Sequence, residues 1–324
     1  MAANGSGDQP RALLGSWPTP VEPAPRLGVA LGLGADDLWI KRDDLTGLGA
    51  GGNKVRKLEW LCGQALAEGA DVLVTTGAPQ SNHARLTAAA ASRIGIAAVL
   101  VLRGTAGSSH GGNLALDGLL GARVVWAGDQ DGEGLRRRAQ EVADELAGAG
   151  SRPFVIPFGG SSPVGAQGYR MAGEELDRQL PAVRHVVTAL GSGGTMAGLV
   201  SALGAERVLG VHVGAVPDPR GAVTALLAGM GRTAAGLRVR LDQVGTGYAD
   251  LQPAVWEAMT TAARTEGVVV DPVYTGRALA GLAAAVRDGD IGAGQTTVLL
   301  HGGGLPGFFG HPDAQRRAEE LLGR

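Results

Sequence analysis

Lys54 stands where a lysine can act as a nucleophile. The chain reads Leu38-Trp39-Ile40-Lys41-Arg42-Asp43-Asp44-Leu45 and then Gly51-Gly52-Asn53-Lys54-Val55-Arg56-Lys57-Leu58-Glu59. A strand-like opening runs into a glycine-rich loop. Asn53, a good N-cap residue, then precedes the apolar positions Val55, Leu58, Leu61 and Cys62 at helical spacing. This pattern predicts a helix with Lys54 in its first turn, where the partial positive charge of the helix end disfavours a second cation. A lysine held there is inclined to lose its proton, and a neutral amine attacks carbonyl carbon. In isolation such a lysine is usually a solvated residue on a helix face, so its meaning depends on the other groups the chain supplies.

Gly191-Ser192-Gly193-Gly194-Thr195 follows a strand-like run and precedes the helical stretch from Met196 to Leu203. Small residues at such a turn let backbone N–H groups converge on an anion, and hydroxyls add donors. The loop lacks the lysine of a P-loop and the spacing of a dinucleotide fingerprint, which disfavours ATP and NAD. Ser81-Asn82-His83 sits at a second strand-to-helix turn, where Ser81 and Asn82 also suit a helix cap. Tyr248 and Tyr274 are two of only three tyrosines. A phenol can donate a hydrogen bond or shuttle a proton, although a packed ring with a satisfied hydroxyl is the plainer reading.

These residues need a scaffold, and the pattern of the chain supplies one. Apolar runs at 71–76, 97–102, 123–126, 154–157, 185–190, 207–213, 267–270 and 296–300 alternate with helical stretches such as 82–94, 132–148, 164–180 and 250–266. Strands apolar throughout and separated by helices imply an α/β fold of parallel sheets covered on both faces, hence three layers. So many strands suggest two sheets: a small domain at 52–158, and a large one from 1–51 and 159–324. Ligands in such folds sit beyond the carboxyl ends of strands, where 77–83, 191–195, 271–275 and 301–304 fall. Residues 1–16 read as a loose arm.

A chain of 324 residues can bury a substantial core, and its net charge of −2 gives no electrostatic case for nucleic acid or an anionic membrane. No apolar run reaches transmembrane length, and the N-terminus has no apolar signal-like region. The single cysteine, Cys62, has no disulfide or zinc partner, which fits a cytoplasmic setting. His185, His212 and His311 lack ligand spacing, so no metal site is expected. Gly107, Ser109 and Gly111 fit a hydrolase pattern, and His301-Gly302-Gly303-Gly304 resembles an oxyanion element. That element belongs before the serine, not almost 200 residues after it, so a serine hydrolase is rejected.

The lysine motif, Thr75-Thr76-Gly77-Ala78-Pro79-Gln80-Ser81-Asn82-His83-Ala84-Arg85-Leu86, Gly112-Asn113-Leu114, Gly159-Gly160-Ser161, Gly191–Thr195, Asp271–Gly276 and His301–Gly304 occur in one order. Together they resemble the D-cysteine desulfhydrase and 1-aminocyclopropane-1-carboxylate (ACC) deaminase family. The resemblance starts at Pro18-Thr19-Pro20 and runs nearly end to end. It implies a pyridoxal phosphate (PLP) enzyme of fold type II, the tryptophan synthase β-subunit type, working on a small amino acid and forming a homodimer. It makes Lys54 the Schiff-base lysine and Gly191, Ser192, Gly193, Gly194 and Thr195 the phosphate loop. Asn82 lies against the cofactor ring, and Ser81, His83, Tyr248 and Tyr274 face the substrate, with Ser81, Tyr248 and Tyr274 as candidates for proton transfer beside Lys54.

Two positions bear on the substrate. ACC deaminases usually carry glutamate where Thr275 stands, near the pyridine nitrogen, and a hydroxyl there makes the cofactor a weaker electron sink. The position after the C-terminal histidine is leucine in ACC deaminases and threonine in D-cysteine desulfhydrases, whereas here it is Gly302. The best single expectation is D-cysteine giving pyruvate, sulfide and ammonia. ACC deamination, elimination from a sulfonated amino acid such as cysteate, and a pathway-specific biosynthetic reaction are alternatives. A non-catalytic PLP-binding paralogue is the rival from another class.

Overall fold

The computed structural model describes residues 10–107 and 109–322. Among these, ten strands form two sheets. The strands are β1 (Val21–Pro23), β2 (Leu38–Arg42), β3 (Val72–Gly77), β4 (Ala97–Leu102), β5 (Arg123–Trp126), β6 (Pro153–Val155), β7 (His185–Leu190), β8 (Val208–His212), β9 (Arg238–Arg240) and β10 (Thr297–His301). The six-stranded sheet runs β1-β2-β10-β7-β8-β9 and the four-stranded sheet β5-β4-β3-β6. All pairings are parallel except β1 with β2, which adds an antiparallel edge to the expected parallel sheet.

The helices are α1 (Pro25–Ala30), α2 (Lys54–Ala67), α3 (Asn82–Ile94), α4 (Gly112–Leu119), α5 (Gly132–Gly148), α6 (Pro163–Gln179), α7 (Gly194–Leu203), α8 (Pro219–Gly229), α9 (Pro253–Glu266), α10 (Thr275–Arg287), α11 (Leu305–Phe309) and α12 (Pro312–Glu319). Both sheets are middle layers. Val187 and Leu299 point into a core with Leu27 of α1, Met259 of α9 and Leu279 of α10. Their chain neighbours Val186 and Val298 point into the opposite core with Leu176 of α6, Leu199 of α7 and Val223 of α8. This is the period-two alternation of a strand buried on both faces. In the smaller sheet, Leu73 and Leu100 meet α2 and α3, while Val74 and Val99 meet α5.

Two expectations are corrected. The run 267–270 is not a strand; the Val269 carbonyl accepts from His301 Nε2 at 3.1 Å, and the run leads into the turn held by Asp271. Nor is the described part of the arm loose. Ala12 and Leu14 are buried, and the Glu59 carboxylate accepts from Leu14 N, Gly15 N and Trp17 Nε1. Residues 1–9 lie outside the described part of the chain.

Close helix crossings bring the lysine helix towards the glycine loop. A Cβ on Gly168 would lie 2.1 Å from the Arg56 carbonyl oxygen, and one on Gly198 would lie 2.4 Å from that of Ala166. Glycine at both crossings therefore lets α6 press against α2 on one side and α7 on the other.

Candidate active site

Lys54 opens α2, as its spacing predicts, but Asn53 does not cap the helix with its side chain. Its backbone is already helical, and the amide turns to other partners. Oδ1 accepts from Lys54 Nζ at 3.2 Å, and Nδ2 donates to Thr195 Oγ1 at 3.1 Å. Lys54 Nζ lies 5.7 Å from the centre of the Tyr274 ring. Burial is the largest cause bringing the Lys54 amine down to about 8; the Asp271 carboxylate opposes the shift and Arg85 adds to it.

The cleft around this amine encloses about 700 Å³, including space open to solvent. It gathers Ser81, Asn82 and His83 from the end of β3, Gly191, Ser192, Gly193 and Thr195 from the end of β7, and Tyr274, Thr275 and Gly302 from the turns near β10. All but Tyr274 and Thr275, which open α10, lie just beyond the carboxyl ends of parallel strands, where such folds bind ligands. Tyr248 reaches the cleft through Tyr274: their hydroxyls hydrogen-bond, with ring centres 5.9 Å apart and planes at 78°.

Each turn is built by its sequence. Gly193 has φ +92, and Gly194 opens α7 with its N–H donating to Ser161 Oγ. A Cβ on Gly194 would lie 2.6 Å from Ser161 Oγ and 2.9 Å from Lys57 Nζ, so only glycine leaves this cradle open. Ser81 caps α3, accepting from Ala84 N at 3.1 Å, and its hydroxyl proton remains free to donate. Asn82 Oδ1 accepts from Asn113 Nδ2 at 2.9 Å, which turns the amide's N–H₂ towards other acceptors.

His83 is buried, and its tautomer follows from its neighbour. Thr75 Oγ1 donates to the Ile156 carbonyl at 2.9 Å, so His83 Nε2–H donates to Thr75 Oγ1, also at 2.9 Å. Nδ1 is left as an acceptor without a partner. Burial, reinforced by Lys54 and Lys57, holds the ring neutral, well below the ordinary histidine range. Thr275 is buried, its N–H donating to Asp271 Oδ1 at 2.8 Å. Asp271 also accepts from Val273 N and Tyr274 N, which sets the turn that presents both side chains.

Lys57 and Ser161 were not singled out by the sequence as site residues. Lys57 Nζ donates to Ser161 Oγ at 3.1 Å and to the Gly159 carbonyl at 3.2 Å. Ser161 Oγ also meets Ser192 Oγ at 2.7 Å and accepts from Gly194 N at 3.1 Å. Burial, then the charge of Lys54, drives the Lys57 amine well below its ordinary value. This amine, the two serine hydroxyls and the Gly194 N–H converge in a polar cluster that suits an anion. The available signal was that Lys57 lies three residues after Lys54, on the same helix face.

A cradle of N–H groups, hydroxyls and a lysine suits a phosphate monoester, and the Lys54 amine in the same cleft suits an aldehyde. Residues 12–303 match the model of the pyridoxal-phosphate dependent enzyme family. The chain belongs to that family. Within it, the chain is 40% identical over 315 residues to a Pyrococcus abyssi protein provisionally named 1-aminocyclopropane-1-carboxylate deaminase, covering 93% of each. It is 39% identical over 328 residues to D-cysteine desulfhydrase of Salmonella schwarzengrund, covering 94% of this chain and 97% of the relative. A solved ACC deaminase homologue superposes with a TM-score of 0.85 at 37% identity, covering 95% of this chain and 96% of that one. Threonine deaminase isoform 2 of Solanum lycopersicum shares the fold, with a TM-score of 0.68 at 20% identity over 94% of this chain and 88% of that one. The protein is therefore a PLP-dependent enzyme of fold type II, in the D-cysteine desulfhydrase and ACC deaminase family. Among the described residues no helix is long and apolar enough to cross a membrane.

Proposed function

We propose that the protein is a lyase that removes a β-substituent from a small amino acid, with D-cysteine to pyruvate, sulfide and ammonia as the leading case. The observation that carries the reading is the Lys54 amine, held down to about 8 by burial and lying 5.7 Å from the Tyr274 ring in a cleft shared with the Gly191–Thr195 loop. Bound PLP supplies a carbonyl for the amino group and an electron sink for the Cα electrons.

The chain's own groups supply the rest. Lys54 would hold the cofactor through Nζ, and as a free amine would take the Cα proton at that atom. Gly191–Thr195, with Lys57 and Ser161, would hold its phosphate. Asn82, its Oδ1 already engaged by Asn113, would have Nδ2 free to donate to the cofactor. The Ser81 hydroxyl donates to the substrate carboxylate. Tyr274, oriented by Tyr248, serves the β-substituent, donating a proton as it leaves. His83, neutral and tied to Thr75, offers only its Nδ1 lone pair to a substrate donor.

ACC deamination is the second reading, supported by relatives of that name at similar identity. Buried Thr275, where a carboxylate would be needed beside the pyridine nitrogen, favours elimination instead. The deciding experiment has two stages. The purified protein should absorb in the visible, and borohydride should fix the cofactor on Lys54. A panel of D- and L-amino acids with β-leaving groups, together with ACC, is then assayed for 2-oxo acid. A borohydride adduct on another lysine would sink the site assignment. An inert protein with an intact adduct would favour the non-catalytic paralogue.

A further inference from the structure

Tyr248 is carried by a loop without regular secondary structure, and that loop is fastened by a buried cation. Arg277 of α10 is fully buried. Its Nη2 donates to the carbonyls of Gly247, Tyr248 and Asp250 at 2.9, 2.9 and 2.8 Å. Its Nη1 donates to the Val213 carbonyl at 2.8 Å, just beyond β8. The remaining carbonyl of the segment, Ala249, accepts from His311 Nε2 at 3.0 Å. Two side chains thus take every carbonyl from Gly247 to Asp250. Among the described residues no carboxylate pairs with Arg277 within ion-pair distance, so its charge is met by carbonyl dipoles.

We infer that Arg277 is a positioning residue: its guanidinium acts as a built-in cation in a cage of carbonyls, fixing the loop so that Tyr248 meets Tyr274. A buried charge without a paired anion costs stability unless hydrogen bonds offset it, so its presence calls for a structural reason. The geometry supplies that need. Arg277 lies three residues after Tyr274, so one helical turn carries both the tyrosine and the group that delivers the other tyrosine to it. The planar fork of arginine spans carbonyls of two chain segments, which the compact ammonium of lysine does less completely. Removing the charge would leave the carbonyls of 248, 250 and 213 without these donors, and that of 247 with only the Asp250 N–H at 3.2 Å.

The functional consequence rests on the proposed role of Tyr248 at the substrate, so the test reads the loop and the reaction separately. Holoenzyme carrying Arg277→Met, Arg277→Lys, Tyr248→Phe or Tyr248→Phe with Arg277→Met is compared with the parent. In Arg277→Met, amide exchange across 244–252, read without substrate, should rise at least about tenfold, while the core strands and the visible cofactor band stay unchanged. Arg277→Lys should exchange at an intermediate rate, and it carries the test if the methionine variant does not fold. With D-cysteine or β-chloro-D-alanine, Arg277→Met should lower kcat as far as Tyr248→Phe does, and the double variant should lose no more than the worse single. Unchanged exchange at 244–252, or losses that multiply in the double variant, would overturn the inference. Full activity of Tyr248→Phe with loosened exchange in Arg277→Met would instead reject the role of Tyr248 and leave the clamp standing.

Discussion

Asn53 and Thr195, 142 residues apart, are joined by a 3.1 Å hydrogen bond from Nδ2 to Oγ1. The other end of the same amide accepts from Lys54 Nζ. One side chain therefore ties the Lys54 amine to the Gly191–Thr195 loop. Asn53→Ala should weaken PLP binding by about tenfold, roughly 1.4 kcal/mol, the scale of one hydrogen bond in an enclosed site. Thr195→Val breaks the same bond from the far side. Cofactor titrations of both singles and the double should show a combined loss well short of the sum, and full additivity would mean that the bond couples nothing.

The cradle gives a sharper expectation. At Gly194 even a methyl group would meet Ser161 Oγ and Lys57 Nζ inside contact distance. Gly194→Val should therefore raise the PLP dissociation constant more than about tenfold, as should Lys57→Met, which removes the amine from the cradle. Turnover at saturating cofactor should suffer less. If Gly194→Val retains the cofactor normally, the phosphate sits elsewhere.

Lys54 sets a pH dependence whose sign can be worked out. Burial holds its amine at about 8, against an ordinary lysine value of 10.5. Protein stripped of PLP should combine with it about tenfold faster per pH unit until pH reaches about 8, then level off as the amine becomes neutral. Stability follows the same group. Between about 8 and 10.5 an unfolded lysine keeps its proton while the folded one has lost it, so the stripped protein gains stability as pH rises through that window. Lys54→Met should lack this contribution. Stopped-flow reconstitution and denaturant titrations across the range check both parts.

The sequence displayed chemistry that lies within one turn and hid chemistry that spans the fold. Lys54, Ser81 to His83 and Gly191 to Thr195 are legible because each sits where a run of strand residues meets a helix, and such turns carry glycine and capping residues for local reasons. Their meeting in one cleft follows from a parallel sheet placing the strand ends together. Lys57 and Ser161 escaped notice because their bond joins residues 104 positions apart. The strand expected at 267–270 failed because Val268 and Val270 are buried by packing beside α9 and α10, not by pairing with a neighbouring strand. The short strands β1 and β9, each of three residues, carry proline or arginine and owe their conformation to the strand beside them. Lys41, Asp43, Arg56 and Glu175 form a buried charge cluster behind α2, with Arg56 Nε 2.8 Å from Asp43. Their proximity in space binds β2, α2 and α6 together, and only Lys41 and Asp43 are close in sequence.

Under the proposed function, Thr275 and Gly302 are the positions expected to set substrate choice. Thr275 is buried in the cleft, and its hydroxyl has only a distant contact at 3.5 Å with the Gly303 carbonyl. It offers no negative charge to keep a pyridine nitrogen protonated, so stabilisation of a Cα carbanion is limited. A thiolate or chloride leaves readily under those conditions, whereas opening the carbon ring of ACC needs the stronger sink. The protein should release 2-oxo acid from D-cysteine or a β-substituted relative, with little or none from ACC. A Cβ at Gly302 would meet Asn53 Cγ at 3.4 Å, an ordinary contact, and Gly302 has no positive φ to forbid a side chain. Leucine is therefore admissible there, with its bulk beginning beside Asn53. Thr275→Glu with Gly302→Leu should raise kcat/KM for ACC relative to D-cysteine by at least about tenfold, because it restores both the charge and the apolar wall. The comparison is made on both substrates in both proteins, with cofactor occupancy checked by absorbance. Efficient ACC turnover by the unaltered chain would refute the argument from Thr275. Inactivity on every β-substituted cysteine and serine analogue would move the substrate towards a larger group that the space at Gly302 admits.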